Sequence, residues 1–452
     1  MLLRFLLKNK DLIANKIMKK VLIITYYWPP SGGPGVQRIL KFVKYLPEFG
    51  WQPYILTPKY GEFPAIDNSL TNEIHTDCEI IKTNIVEPGT IYKLITGMKK
   101  SEAIPIAVLA ETDSLTFSKK VTRWLRANIF IPDAKIGWIP FALNKGKKLI
   151  QQHKIDIIFS SSPPPTTHLI AQKLARQHGI KWVADFRDPW TDIHYYKNLP
   201  RLKITQAFDK KLERSVLTSA NWITSVSKTY INNYKSKVSH NRFSFLPNGF
   251  DAKDLKDIDF NVYPDKFRIS SMGTINNERN PETLFQTVNK IISTNAEFAK
   301  HLEIHLIGII APGVNADIVK YGLEKYVKKT NYLPHIEALK KMADAWILLL
   351  PINNVINDLG ILTGKLFEYI GSGKTILGFG NPMVDAASIV REVNAGEFFE
   401  YGDVDGTEKF LLRQFQLWKN GKLEKNKNQA LLMKYERKRI TESLVNIFEN
   451  CL

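Results

Sequence analysis

From Lys19 onward, short runs of β-branched and apolar residues alternate with longer stretches whose apolar positions recur at helical spacing. Few folds other than a parallel sheet with crossover helices accept that alternation. The pattern predicts strands at Val21–Thr25, Tyr54–Thr57, Glu79–Lys82, Ile155–Ser160, Trp182–Phe186, Trp222–Ser225 and Phe243–Leu246, with helices at Val36–Leu46, Thr167–His178 and Ile204–Leu217. Leu246-Pro247-Asn248-Gly249-Phe250-Asp251 is dense in turn formers and reads as a hinge. The alternation then restarts, with strands predicted at Phe267–Met272, Glu303–Ile307, Val327–Tyr332 and Trp346–Leu350 and helices at Pro281–Ile292, Val314–Leu323 and Ile336–Met342. A chain of 452 residues exceeds what one core serves. The expected organisation is an N-terminal Rossmann-like domain over 18–248, a C-terminal one over 249–428, and an amphipathic tail over 429–452.

Lysine and arginine number 63 against 44 acidic residues, so the net charge of +19 draws the chain toward an anionic partner. No nucleic-acid motif and no basic arm accompany that charge, which turns the expectation away from nucleic acid. The two cysteines, Cys78 and Cys451, suggest neither a disulfide framework nor a zinc site and fit a reducing cytoplasm. No apolar run reaches the length that crosses a bilayer. Residues 1–17 carry leucines among Arg4, Lys8, Lys10 and Lys16, and read either as an extension upstream of a start at Met18 or as a basic amphipathic helix on a membrane. Between about residues 84 and 138 the alternation lapses into a mixture of lysines and arginines with Trp124, Ile129, Phe130, Ile131 and Trp138. Such an insertion suits anionic headgroups or a lipid-linked substrate, and equally two solvated helices packing their apolar sides inward.

Ligands of open parallel sheets sit outside the carboxyl ends of the strands, so the strand ends are where chemistry is sought. After the first strand, Ser31-Gly32-Gly33-Pro34-Gly35 lets backbone approach a phosphate at a helix amino terminus, although it matches neither GxGxxG nor GxxxxGK. His168 follows Ser160-Ser161-Ser162-Pro163-Pro164-Pro165 and is expected in the first turn of the next helix, near the cleft, as a catalytic candidate or, as is commoner for a lone histidine, a structural group. Ala184-Asp185-Phe186-Arg187-Asp188-Pro189-Trp190 places two carboxylates around an arginine, which is costly unless they are paired or used. Asp188 suits a general base or an acceptor-orienting group, and Arg187 suits a phosphate. In the second half, Arg279 lies just ahead of a helix, and Gly364-Lys365-Leu366-Phe367-Glu368-Tyr369 opens another. Lys365 and Glu368 are three apart and share a face, as either a surface ion pair or a site. Arg279, Lys365 and Glu368 together describe a nucleotide-diphosphate site that needs no metal: two cations for the phosphates and a carboxylate for vicinal ribose hydroxyls.

From Met18 onward the chain resembles glycosyltransferases of the GT-B fold, in particular family 4, of the kind found in bacterial surface-polysaccharide clusters. The strings that carry the resemblance are Tyr26-Tyr27-Trp28-Pro29-Pro30-Ser31-Gly32-Gly33, Ser161-Ser162-Pro163-Pro164, Asp185-Phe186-Arg187-Asp188-Pro189-Trp190, Pro247-Asn248-Gly249-Phe250-Asp251 and Gly364–Tyr369. The resemblance implies two Rossmann-like domains facing across an interdomain cleft, a final helix that returns to the first domain, a nucleotide-sugar substrate with no separate cofactor, and retention at the transferred sugar. Gly32 and Gly33 resemble the turn against the donor phosphates, and Glu368 matches the second glutamate of the family's pair, the one associated with ribose. The first glutamate of that pair falls on Gly360, with Asp358 nearby; Thr274 stands where an arginine is common, and Arg187 and Asp188 lie where relatives carry a histidine. Gly360 and Thr274 keep one alternative in view, a degenerate nucleotide-sugar-binding protein, and the shared fold offers another, a sugar-nucleotide epimerase, against which the insertion argues. The expected partners are a nucleotide-sugar donor, a lipid-linked or saccharide acceptor and an anionic membrane surface, with the protein cytoplasmic or peripheral on the inner face of the plasma membrane.

Overall fold

A computed structural model describes residues 18–63, 66–88, 117–331, 333–355, 358–422 and 428–452. The extension at 1–17 and the part of the insertion at 89–116 lie outside the described residues. The chain divides into two compact units.

The first unit takes in the chain up to Val226, then Tyr230–Leu246 and Thr441–Leu452. Its strands are β1 (Lys19–Ile24), β2 (Trp51–Pro58), β3 (Glu79–Thr83), β4 (Ile157–Ser162), β5 (Lys181–Phe186), β6 (Trp222–Ser225) and β7 (Phe243–Phe245). All pair in parallel, in the order β3-β2-β1-β4-β5-β6-β7, with Ile23 in register with Ile55 on one side and Phe159 on the other. Val21–Ile24 and Ile157–Phe159 are wholly buried, which is why these strands read as continuous apolar runs without alternation. Helices Pro34–Tyr45, Ile139–His153, Thr166–His178 and Lys203–Ser219 provide the covering layers. The end of the final helix, Arg437–Cys451, belongs here through Phe448, whose ring lies 5.1 Å from Trp51 and 5.8 Å from Phe159.

The second unit comprises Ser227–Thr229 and Pro247–Ile440. Its strands are β8 (Phe267–Met272), β9 (Leu302–Ile307), β10 (Val327–Thr330), β11 (Ile347–Pro351), β12 (Thr375–Phe379) and β13 (Gly396–Phe399), parallel in the order β10-β9-β8-β11-β12-β13. The edge strand β13, Gly-Glu-Phe-Phe, has no periodic signature and is only half-buried, so local pattern does not reveal it. The tail is divided at Ile440, whereas the sequence treats 429–452 as one piece. Tyr435 keeps its portion in the second unit by bonding Glu392 at 2.8 Å and accepting from the Phe250 amide at 3.0 Å.

The charge cluster at the end of β5 is resolved by a residue from another element. Arg38, on the helix Pro34–Tyr45, is wholly buried and donates Nε and Nη2 to the two Asp185 oxygens at 3.0 and 2.7 Å. Ser161 Oγ and Thr224 Oγ1 donate to the same carboxylate at 2.7 and 2.8 Å. Burial pushes the Asp185 carboxyl up, but Arg38 and the two hydroxyls outweigh it and hold the group below the usual carboxylate range. Arg38→Ala leaves a buried carboxylate uncompensated and is expected to cost about 3–5 kcal/mol, while the pair Arg38→Met with Asp185→Leu recovers much of that loss. Urea unfolding of the three proteins measures both effects.

Candidate functional site

Each sheet reverses its direction of growth once, and crevices for ligands form where it does. In the second unit the reversal lies between β8 and β11, and the residues singled out from sequence gather around it. Gly273 ends β8 at φ +82°, a conformation open to glycine at little cost, and a Cβ there would stand 3.9 Å from Lys365 Nζ. Arg279 ends the short 3₁₀ turn Asn277–Arg279, with its Nε hydrogen-bonded to Asn353 Oδ1 in the loop after β11. Asn353 in turn donates to Glu278 Oε2 at 2.5 Å, so the arginine is held from two loops at once. Burial lowers the Arg279 pKa against the pull of Tyr401 and Glu278.

The helix Gly364–Ser372 begins at Thr363, which makes no side-chain cap, leaving the first-turn amides without that partner. The Thr363 hydroxyl and Lys365 Nζ are both buried without a hydrogen-bond partner among the described residues. An ammonium so placed is poorly solvated, and its pKa is pushed down to about 7 by burial first and Arg279 second, with Glu368 opposing. Glu368 lies one turn on, half-exposed, and its Oε1 is 2.8 Å from His335 Nε2. The surface-pair reading of Lys365 with Glu368 therefore gives way to a buried cation beside a second cation, and a carboxylate held by a histidine. Chemically this is an unneutralised anion cradle next to a hydrogen-bond acceptor.

In the first unit the reversal lies between β1 and β4. Gly33 precedes the helix Pro34–Tyr45 at φ +102°, with nothing within 4 Å of where a Cβ would stand, so the turn is open. Arg187, nearly buried, donates Nε to Ser162 O at 2.8 Å and Nη2 to Pro163 O at 2.7 Å. Its Nη1 lies against Gly35, where a Cβ would come within 1.9 Å. The structure thus brings Arg187 to the first turn of the helix that Gly32 and Gly33 lead into, a cation set beside amides that already favour an anion. Asp188, next in sequence, is exposed to solvent.

His168 departs from its expected place. It is in the first turn of Thr166–His178, but that turn is wholly buried, and the ring packs 4.3 Å from Phe186 with Nδ1 2.8 Å from Ser160 Oγ. Burial drives its pKa down to about 3, so it is a neutral core group with no path to solvent. The helix packs that turn against β4 and β5, where Ser160 and Phe186 meet the ring, and the Asp133 carboxylate caps the helix through the Thr166 amide at 2.8 Å.

Sequence comparison now adds to this geometry. The sequence model described as Glycosyltransferase Family 4 matches residues 35–254. The chain has the GT-B fold and over those residues is similar to family 4. Among solved structures, a glycosyltransferase from Rickettsia africae is 11% identical with a TM-score of 0.62, over 96% of this chain and 99% of that one. The HepE protein of Anabaena in complex with UDP is 10% identical, TM-score 0.60, over 96% and 100%. The lipopolysaccharide outer core galactosyltransferase WaaB is 12% identical, TM-score 0.56, over 96% and 100%. A search of curated proteins finds no match.

Within this GT-B chain, the departures noted from sequence occupy definite places. Gly360 is buried at the end of the one-turn helix Asp358–Gly360, and the Asp358 side chain lies outside the described residues. Thr274 is exposed after Gly273. His335 and Asn353 escape a reading of motifs because each acts on a residue far away in sequence, although Asn353 does follow a strand end, where the search rule looks. Because the folded protein must bury a charge at Lys365, Lys365→Met is expected to stabilise it by about 2 kcal/mol below pH 7. That gain shrinks as the pH rises from 7 toward the ordinary lysine value, where the folded protein no longer carries the charge. Thermal unfolding of both proteins across pH 6–10, a range chosen about the lysine titration, reads this out.

Proposed function

We propose that this protein transfers a sugar from a nucleotide diphosphate donor to a hydroxyl acceptor, with retention, in the synthesis of a surface polysaccharide or glycolipid. The observation that carries the proposal is Lys365: a buried ammonium with no hydrogen-bond partner among the described residues, beside Arg279, at the point where the second sheet reverses. Two cations left unneutralised cost stability, and a diphosphate is the anion whose charge and size repay them. In transfer, the bond from the anomeric carbon to the diphosphate oxygen breaks and the acceptor oxygen takes its place. Arg279 and Lys365 stabilise the charge that grows on the leaving diphosphate, and Glu368, steadied by His335, accepts from the ribose hydroxyls. Asp188 takes the proton of the acceptor hydroxyl, or orients the hydroxyl while the departing diphosphate takes that proton, and Arg187 with the Gly32-Gly33 turn binds phosphate oxygens on the first unit. The solved HepE structure holding UDP and the fold shared with a lipopolysaccharide galactosyltransferase support this reading. A lipid-linked acceptor and an anionic membrane face suit the net charge of +19.

Gly360, standing where a sugar-binding glutamate is expected, favours one second reading, a protein that binds nucleotide sugars without transferring them. A panel of radiolabelled nucleotide sugars separates the two: a transferase releases nucleotide diphosphate and labels an acceptor, whereas a binder retains the intact donor. Glu368→Ala is expected to weaken UDP binding by a factor of roughly ten to fifty, the loss of a charged hydrogen-bond acceptor; unchanged affinity removes Glu368 from the site. An incoming diphosphate raises the Lys365 pKa from about 7, so binding takes up a proton and UDP affinity falls as the pH rises above 7. Calorimetry in buffers of different ionisation enthalpy detects the uptake, and Lys365→Met abolishes it.

A further inference from the structure

One face of the first unit has no part in the reading above. The helix Phe117–Ile129 leaves Trp124, Leu125 and Ile129 exposed on a single arc, with Ile129 62% accessible. Asn128 fixes this helix to the segment leading into Lys203–Ser219: it donates to Pro200 O at 2.8 Å and accepts from the Leu202 amide at 2.8 Å and Thr205 Oγ1 at 3.0 Å. Arg123 adds a bond to Asn198 O at 2.9 Å. The second helix carries its own exposed apolar stripe, with Leu202 just before it, Ile204 at 76% and Phe208 at 51%. Ile204 and Phe208 are one turn apart and share a face.

The charges of the second helix are sorted. Both acids turn inward: Asp209 accepts from Trp190 Nε1 at 2.8 Å and pairs with Arg201 at 2.7 Å, and Glu213 pairs with Lys237 at 2.7 Å. Lys203, Lys210, Lys211 and Arg214 all face solvent. The helix Phe117–Ile129 contains no acid at all, and Arg126 is exposed beside its apolar arc. Isolated exposed apolar residues are ordinary, but six of them on two joined elements, with exposed cations alongside and the helices' acids absent or withdrawn, form a surface with one matching partner. Apolar side chains that enter the acyl boundary while lysines meet phosphate are the pattern for an anionic bilayer.

We propose that this face, Trp124–Ile129 with Leu202–Lys211, seats the protein on a bilayer containing anionic phospholipid. The purpose it serves rests on the glycosyltransferase reading, since lipid-linked acceptors lie at such a surface, but the contact itself does not depend on donor chemistry. Cosedimentation of the full chain with equimolar phosphatidylglycerol–phosphatidylcholine vesicles, against phosphatidylcholine alone, tests it. The wild-type protein is expected to pellet with the anionic vesicles only, and less as salt is raised. Ile204→Asp with Phe208→Asp, and separately Lys203→Glu, Lys210→Glu and Lys211→Glu together, are each expected to weaken vesicle binding by at least about tenfold. All these side chains are exposed, so circular dichroism and UDP affinity should match the wild type, which separates failure here from failure of the donor site. Equal pelleting with both vesicles, or variants that pellet as the wild type does, overturns the proposal. So does a change of the apolar variant from dimer to monomer in sedimentation velocity, which assigns the face to a second copy.

Discussion

Parallel strands buried on both faces leave little room for polar side chains except at their ends, and that constraint organises both units of this protein. The β1–β4 core is so completely buried that the polar residues available for chemistry collect after the carboxyl ends, in the loops entering the helices. Where the strand order reverses, two such loops diverge and leave a crevice. Gly33 and Arg187 lie at one reversal, and Gly273, Arg279, Asn353 and Lys365 at the other. The positions of the candidate groups are thus consequences of sheet order, and their chemistry is the residue type that each loop happens to bring.

Two buried arginines, Arg38 against Asp185 and Arg187 two residues beyond that carboxylate, illustrate how differently a buried charge can be used. Arg38 is fully consumed: both ends of its fork meet Asp185, and the carboxylate's remaining capacity is met by Ser161 and Thr224. That pair holds a helix to three strands and contributes nothing to binding. Arg187 bonds only backbone carbonyls, which fix its position without cancelling its charge. Lys365 goes further, since its ammonium has no hydrogen bond among the described residues and Glu368 offsets only part of the effect of burial and of Arg279. The sequence Lys365…Glu368 suggests mutual neutralisation, but Glu368 is engaged by His335 instead. An unsatisfied buried cation beside a second cation is what makes these residues a candidate site.

The outward surfaces follow a separate logic. Sorting of acid from base around the helix Lys203–Ser219 uses carboxylates as internal fasteners, through Asp209 and Glu213, and leaves the cations in solvent. On this helix the positive charge is therefore a face with a direction. Ile204 and Phe208 add exposed apolar area to that face.

Much of this was legible in the residues alone. Alternation of apolar runs with amphipathic helices determines parallel sheets, because period and length are local properties, and the turn-rich hexapeptide from Leu246 marks the division between them. Strand-end position likewise points to Arg187, Asp188, Arg279, Lys365 and Glu368, since the end of a strand can be read from where its apolar run stops. Only the tertiary structure decided which of these charges are spent. Arg38 meets Asp185 across 147 positions and Asn353 meets Arg279 across 74, pairings that no local pattern encodes. The burial of His168 has the same origin: Phe186 and Ser160, from two neighbouring strands, close around its ring. A sequence determines which groups stand at the ends of strands, but whether such a group is satisfied or left open depends on what folding brings beside it.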